Sequence, residues 1–256
     1  MACFCYWLYV NRCCYFYRGY GRLKLWLNCG YITSHSWLED INDPQLKGIA
    51  MYKHFIWDFD GTLFDSYPPM VKAYHEALKE QGIKVSEEEI LRLMKISVRH
   101  LMAYSKEHHG IDGAFSERFA ELREVYEQAL FEPYKDIRKV LKEICDRGGS
   151  NHIYTHRGSS TGLYLEKYKL LSYFDEIVTS DNGFPCKPDP EGVQFILESH
   201  NIDPDTAVLI GDRALDILSA QKAGIKGCFY SERPEYTCDV ADYLITEHLE
   251  ILTLGE

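Results

Sequence analysis

The chain has 256 residues, of which 46% are hydrophobic and 26% charged, and a formal net charge of −11. This length holds one large domain or a core domain with a modest insertion, and the apolar share suffices for a sizeable packed core. So acidic a balance excludes a broad basic surface for nucleic acid, while leaving room for a small basic pocket that takes an anionic substrate.

The charge is uneven. Residues 1–50 carry five basic and three acidic residues, a net of +2, which leaves −13 for residues 51–256. Five of the nine cysteines (Cys3, Cys5, Cys13, Cys14, Cys29) also fall in this first segment. Their spacing, CxC followed by CC, lacks the second CxxC or HxxxH that a tetrahedral zinc site needs. The apolar run ACFCYWLYV is too short to span a membrane and is not framed as a signal peptide. No sustained helical or alternating period runs through residues 1–50. The expectation is a poorly structured extension over 1–50, with the working protein beginning near Met51. The four later cysteines suit a reducing, cytoplasmic setting.

From Met51 the pattern becomes regular. KHFIW (53–57) is an apolar run of strand length that ends in DFDGT. A helical stretch follows: Val71, Tyr74 and Leu78 recur at helical spacing, SEEE at 86–89 reads as a capping box, and Phe119, Leu122 and Tyr126 continue the theme. After Pro133 helices and strands alternate. NHIYT, EIVTS, AVLIGD, GCFY and DYLIT are the strands, and Ile137, Val140, Leu141 and Ile144 form a helical stripe before the first of them. This order predicts an α/β fold, a Rossmann-like parallel sheet core interrupted by an all-helical insert. The boundaries predicted are 51–66 and 132–256 for the catalytic core and 67–131 for the helical cap.

Ligands of such sheets bind at the carboxyl ends of the strands, where this chain carries acids. Asp58 and Asp60 follow the first strand, Asp212 closes VLIGD, and Asp216 lies one helical turn on. Buried carboxylates are costly unless paired or coordinating a metal. Oxygen ligands in this number suit Mg²⁺, which uses few protein carboxylates and a substrate phosphate. Thr155 at the end of NHIYT and Lys187 in CKPDP add a hydroxyl and an ammonium suited to a phosphoryl group. A carboxylate approaching a phosphate dianion meets about 4 kcal/mol of repulsion per charge pair at 4 Å and an effective dielectric of 20, so a metal and Lys187 are needed to neutralise it. Asp58 can then act as nucleophile and form an aspartyl-phosphate. Asp60 would protonate the leaving oxygen, for which neighbouring like charges are expected to raise its pKa. Asp65 is expected to be a turn or cap residue.

DFDGT, YT, CKPDP and IGDRALD occur in the order and spacing of the haloacid dehalogenase-like hydrolase superfamily, which residues 53–246 of this chain resemble. The likeness is greatest to its phosphoglycolate phosphatase and β-phosphoglucomutase branch, and the helical insert resembles that family's cap domain. The resemblance implies Asp58 as nucleophile and metal ligand and Asp60 as acid/base with its backbone carbonyl on Mg²⁺. It further implies Thr155 and Lys187 on the phosphoryl group, Asp212 as a direct or water-bridged metal ligand, and Asp216 as support for the metal.

The chain departs from the family in places. Asp60 argues for phosphoryl transfer over carbon–halogen cleavage, and Met70 stands where the mutases carry a histidine. His156 and Arg157 replace the Asn or Gly common after the strand-end threonine, and are expected to shape a distinctive substrate pocket. The cap residues Arg99, His100 and Tyr104 read by default as a charged helix face. The reading is a Mg²⁺-dependent phosphatase of a small phosphorylated metabolite, without nucleic-acid or membrane partners, as a monomer or homodimer. A phosphomutase and a non-catalytic phospho-ligand module are the alternatives.

Overall fold

The structure, a computed structural model, describes residues 52–255 together with four short backbone segments before them. Those segments are strands β1 (Trp7–Val10), β2 (Cys13–Phe16), β3 (Lys24–Leu27) and β4 (Gly30–Tyr31), paired antiparallel in that order. They lie in a stretch whose sequence shows no sustained period. The backbone of Cys13 and Cys14 falls in β2; the remainder of residues 1–50, with Cys3, Cys5 and Cys29 and the rest of the expected poorly structured extension, lies outside the described residues. Residues 1–50 and 51–256 are two separate compact units.

In the second unit the six predicted strands make one parallel sheet. They are β5 (His54–Trp57), β8 (Ser150–Tyr154), β9 (Phe174–Val178), β10 (Ala207–Gly211), β11 (Lys226–Tyr230) and β12 (Tyr243–Ile245), in the order β12-β11-β10-β5-β8-β9. The chain leaves β5 toward β8 and β9, then returns to lay β10 against its other edge. Strand order therefore reverses at β5, and the crevice that such a reversal opens lies at the strands' carboxyl ends. All five residues of β10 are buried, as a central parallel strand covered on both faces requires. One face packs Trp57, Val140, Leu141, Ile153 and Ile210 under helix α5 (Ile137–Asp146). The other packs Ile56, Val178, Val193, Ile196 and Leu209 under α7 (Glu191–Ser199) and α8 (Ala214–Lys222).

Between β5 and β8 the chain builds a separate helical layer: α1 (Tyr67–Glu80), α2 (Glu87–Ile96), α3 (Val98–His109) and α4 (Gly113–Leu130). Each of the last three starts on a side-chain cap: Ser86 accepts from Glu89 N, Ser97 from His100 N and Asp112 from Phe115 N. Such caps contribute about 1 kcal/mol each. The layer has its own core, in which Tyr74 meets Phe115 and Phe119 edge-on at centroid separations of 5.0 and 5.1 Å.

The two links between layers are strands β6 (Phe64–Asp65) and β7 (Glu132–Pro133), paired antiparallel. Phe64 stacks on Phe59 at 4.6 Å and on Phe131 at 5.0 Å, so an aromatic column ties both links to the loop after β5. Asp65 is thus a hinge-strand residue rather than a turn or cap. Tyr134 donates to it at 3.4 Å. After α5 the core adds α6 (Ser160–Lys167) beyond β8.

Candidate active site

The loop DFDGT leaves the end of β5 in a tight bend, with Gly61 N donating to Phe64 O and Phe64 N to Phe59 O. Gly61 adopts φ +79°, and a Cβ there would come within 2.5 Å of the Tyr67 ring and 2.7 Å of an Asp212 oxygen. A side chain at residue 61 would push Asp212 away from the strand ends, so glycine is required by both backbone and space.

The bend places Asp58 against the ends of β10 and α8. Asp58, Asp212 and Asp216 are buried, and one carboxylate oxygen from each lies within 4.8 Å of the others. Lys187 reaches into this cluster, with its Nζ 2.7 Å from Asp58 Oδ1 and 2.8 Å from Asp216 Oδ1. Burial pushes the Asp58 carboxyl up to about 7, against the pull of Lys187 and with Asp216 adding to the rise. Burial would also raise Asp216, but Lys187 and Arg213 override it and hold Asp216 below its ordinary value. Lys187 itself stays charged, because Asp216 and Asp58 outweigh the desolvation that would lower it.

Two carboxylate oxygens of this cluster, Asp58 Oδ2 and Asp212 Oδ1, are buried without a hydrogen-bond partner. Buried polar atoms without partners are rare. Hard, anionic oxygens converging on one point are what a Mg²⁺ ion binds, so the residues present fit that ion. Asp60 stands apart: its carboxylate is not in the cluster, which leaves only the backbone route for the metal role assigned to it.

Asp60 instead faces Arg157. The guanidinium donates to it from Nη2 at 2.7 Å and from Nε at 3.1 Å. Burial would raise the Asp60 carboxyl, but the Arg157 charge and these bonds hold it below its ordinary value. The expectation of a raised pKa is corrected here. It counted the acids near Asp60 along the chain and at the neighbouring strand end, whereas the nearest charge in space is a cation from beyond β8. Arg157 was expected to bind substrate; in this structure its fork is taken up by Asp60 and by Glu127 of α4.

Thr155 is buried at the end of β8, where its Oγ1 accepts from Arg157 N at 3.1 Å. His156 accepts from the Lys187 backbone N–H at 2.7 Å, joining the two loops that carry Thr155 and Lys187. Burial pushes His156 down to about 4, with the charges of Lys187, Arg213 and Arg99 adding to the effect. The ring is therefore neutral and free to accept.

A cavity of about 510 Å³ opens over these groups, lined by Asp60, Thr155, His156, Arg157 and Lys187 below and by Met70, Met94, Ile96, Arg99 and Arg123 above. Another, of about 590 Å³, is lined by Asp65, Tyr67, Lys95 and Tyr230 and touches neither Thr155 nor Lys187. The first brings Thr155 and Lys187 together with Asp60, which makes it the candidate substrate cavity. Of the cap residues, Arg99 lines it, and His100 and Tyr104 do not.

Family-model comparison matches residues 55–229 to the haloacid dehalogenase-like hydrolases. The chain belongs to this family. Within it, the chain groups with the phosphatases. Phosphoglycolate phosphatase 1 of Pseudomonas aeruginosa is 31% identical over 180 residues, 67% of this chain and 66% of that protein. A hydrolase from Streptococcus pneumoniae superposes with a TM-score of 0.56 at 28% identity, over 74% of this chain and 95% of its own. A HAD-superfamily hydrolase of subfamily IA from Geobacter sulfurreducens gives a TM-score of 0.62 at 27% identity, over 82% and 98%.

Four further residues were not singled out in the sequence. Tyr67 donates to Asp212 Oδ2 at 2.7 Å, and Lys95 of α2 reaches the same oxygen at 3.2 Å. Arg213 lies 3.7 Å from Asp212, and Glu127 holds Arg157. Arg213 was legible, since it directly follows the Asp212 of IGDRALD. The cap residues carry no local signal; each is an ordinary helical acid, base or aromatic until the cap folds over the core.

Proposed function

We propose that this hydrolase cleaves a small phosphate ester with Mg²⁺ bound at Asp58, Asp212, Asp216 and the Asp60 backbone carbonyl, through transfer of the phosphoryl group to Asp58. The observation that carries this reading is the contact of Lys187 with Asp58 beside two orphaned carboxylate oxygens. A bound Mg²⁺ would neutralise charge on the phosphoryl oxygens.

Lys187 favours the ionised form of Asp58 against the burial that raises it, holds it in place, and shares its charge with the arriving phosphate. Thr155 and the neighbouring backbone hold the phosphoryl oxygens. Asp58 Oδ attacks phosphorus and the ester oxygen leaves with a proton from Asp60, which must first take that proton up against the Arg157 charge that holds it ionised; the negative charge of the bound phosphate ester favours this uptake. Asp60 then takes a proton from the water that attacks the acyl phosphate, releasing phosphate and restoring Asp58. The cap over the cavity excludes bulk water until that step.

Arg99 supports a substrate with a second negative group. It lines the cavity, forms no ion pair among the described residues, and is close enough for its charge to bear on His156. Asp60, Glu127, Arg157 and Arg123 balance one another, so Arg99 is a cation in excess. A carboxylate beside the ester, as in phosphoglycolate, would match it. Met70 is apolar and lines the same cavity, which favours hydrolysis over the mutase alternative. The four cysteines of the second unit, Cys145, Cys186, Cys228 and Cys238, are free thiols, which supports a reducing, cytoplasmic setting.

The test is phosphate release from a panel of small esters, with and without Mg²⁺, beside Asp58→Asn. Metal-dependent turnover lost in the variant and greatest for a phosphorylated carboxylate supports the reading. Turnover that survives Asp58→Asn contradicts it.

A further inference from the structure

The Arg157 guanidinium is shared between two carboxylates of different layers. Nη2 lies 2.7 Å from Asp60 Oδ1 in the core and 3.0 Å from Glu127 Oε1 on cap helix α4, and Nη1 lies 3.2 Å from Glu127 Oε2. Glu127 is buried, which is uncommon for a cap glutamate, and it is fully engaged: Arg123 donates at 2.7 Å and Tyr164 at 3.1 Å. The guanidinium carbon sits 4.7 Å from the centre of the Phe131 ring, at the link between the layers. Phe131 follows Glu127 by one helical turn. The contact therefore lies beside the two strands that link the layers.

Such a buried, unbroken chain of charges costs desolvation and is weak as a source of stability. Its geometry has another consequence. Both Asp60 oxygens are bonded to Arg157, so the direction in which Asp60 points depends on where Arg157 sits, and Glu127 holds Arg157 from the other side. We propose that Glu127 is a positioning residue, which acts through Arg157 to aim the Asp60 carboxyl at the leaving group. Without the cap carboxylate, Arg157 has Asp60 as its sole acidic partner, closes on it, and withdraws it from the ester oxygen.

The inference rests on Asp60 as the general acid of the phosphatase reading. It is read from the ratio of two substrates, so its failure is distinct from loss of all turnover in Asp58→Asn. A poor leaving group, an alkyl phosphate, needs the proton from Asp60, whereas an aryl phosphate with an acidic phenol needs it far less. Glu127→Gln, nearly the same shape without the charge, is expected to lower kcat for the alkyl ester by about tenfold or more, and for the aryl ester by less than about threefold. KM should change little for either. Glu127→Asp should restore part of the alkyl activity, and in an Asp60→Asn background Glu127→Gln should cost nothing further. Equal losses on both esters, no loss on either, or an undiminished loss in the Asp60→Asn background would each overturn the proposal. Should Glu127→Gln fold poorly, Arg157→Lys keeps the charge without the fork. The same alkyl-selective loss is then expected, and an equal loss on both esters counts against the proposal.

Discussion

Lys187 lies 2.7 Å from Asp58, both side chains buried, although the loop of one is 129 residues on from the strand end of the other. Removing one partner of such a pair leaves the other charge buried and alone, at a cost of about 3–5 kcal/mol. Lys187→Met is therefore expected to destabilise the protein on this scale and to lower kcat by more than about a hundredfold. Denaturant titration and steady-state kinetics check the two effects separately.

Gly61 gives a test of the bend itself. Gly61→Ala combines φ +79° with a Cβ that would sit 2.7 Å from Asp212. A loss of about 2 kcal/mol or more in denaturant titration is expected, together with weaker Mg²⁺ binding. A stable variant with wild-type metal affinity would show that the bend relaxes.

The orphaned oxygens of Asp58 and Asp212 predict stabilisation by a divalent cation. An ion that binds the native state at a hundred times its Kd adds about 2.7 kcal/mol. Mg²⁺ should thus raise the Tm of the wild type without substrate, and Asp212→Asn should abolish most of the rise. An equal rise in the variant would place the ion elsewhere.

Acid stability follows from two buried histidines away from the site. His152 and His248 are each pushed down to about 4, mainly by burial, and His248 Nε2 is bonded to the Thr62 carbonyl at 2.7 Å. In the unfolded chain both titrate near the ordinary histidine value of about 6.5. The unfolded state therefore binds more protons between these values, and stability, complete above about pH 6.5, falls as the pH drops toward 4. On the order of 2 kcal/mol per histidine is at stake. Denaturant titrations at pH 7.5 and 5 should show the fall, and His248→Gln should reduce it.

The fold was legible because β5, β8 and β10 are short apolar runs with acids or hydroxyls at their ends, and because the capping signals at Ser86 and the period of α5 are local. The gathering of Asp58, Thr155, Asp212 and Asp216 was legible for the same reason, since each follows a strand or opens a helix, while Lys187 reaches them from the turn before α7. Asp60 shows where this stops. The charged residues nearest it in sequence are Asp58 and Asp65, but its carboxylate is governed by Arg157, 97 residues on, and by a glutamate of the cap. Glu127 reads as one more charge in REVYEQ, and its i, i+4 pairing with Arg123 gives no sign that the other side of its carboxylate faces the core. Contacts across two layers depend on how the layers meet, which no local period encodes.

The most direct measurement of the central claim is to trap the phosphoryl group on the enzyme. Turnover of a preferred ester with Mg²⁺, quenched in acid and reduced with borohydride, converts an aspartyl-phosphate to homoserine that peptide mass mapping locates. Homoserine at residue 58, absent without substrate, is the predicted result. Steady turnover with unmodified Asp58, or with the mark on another residue, would contradict the account.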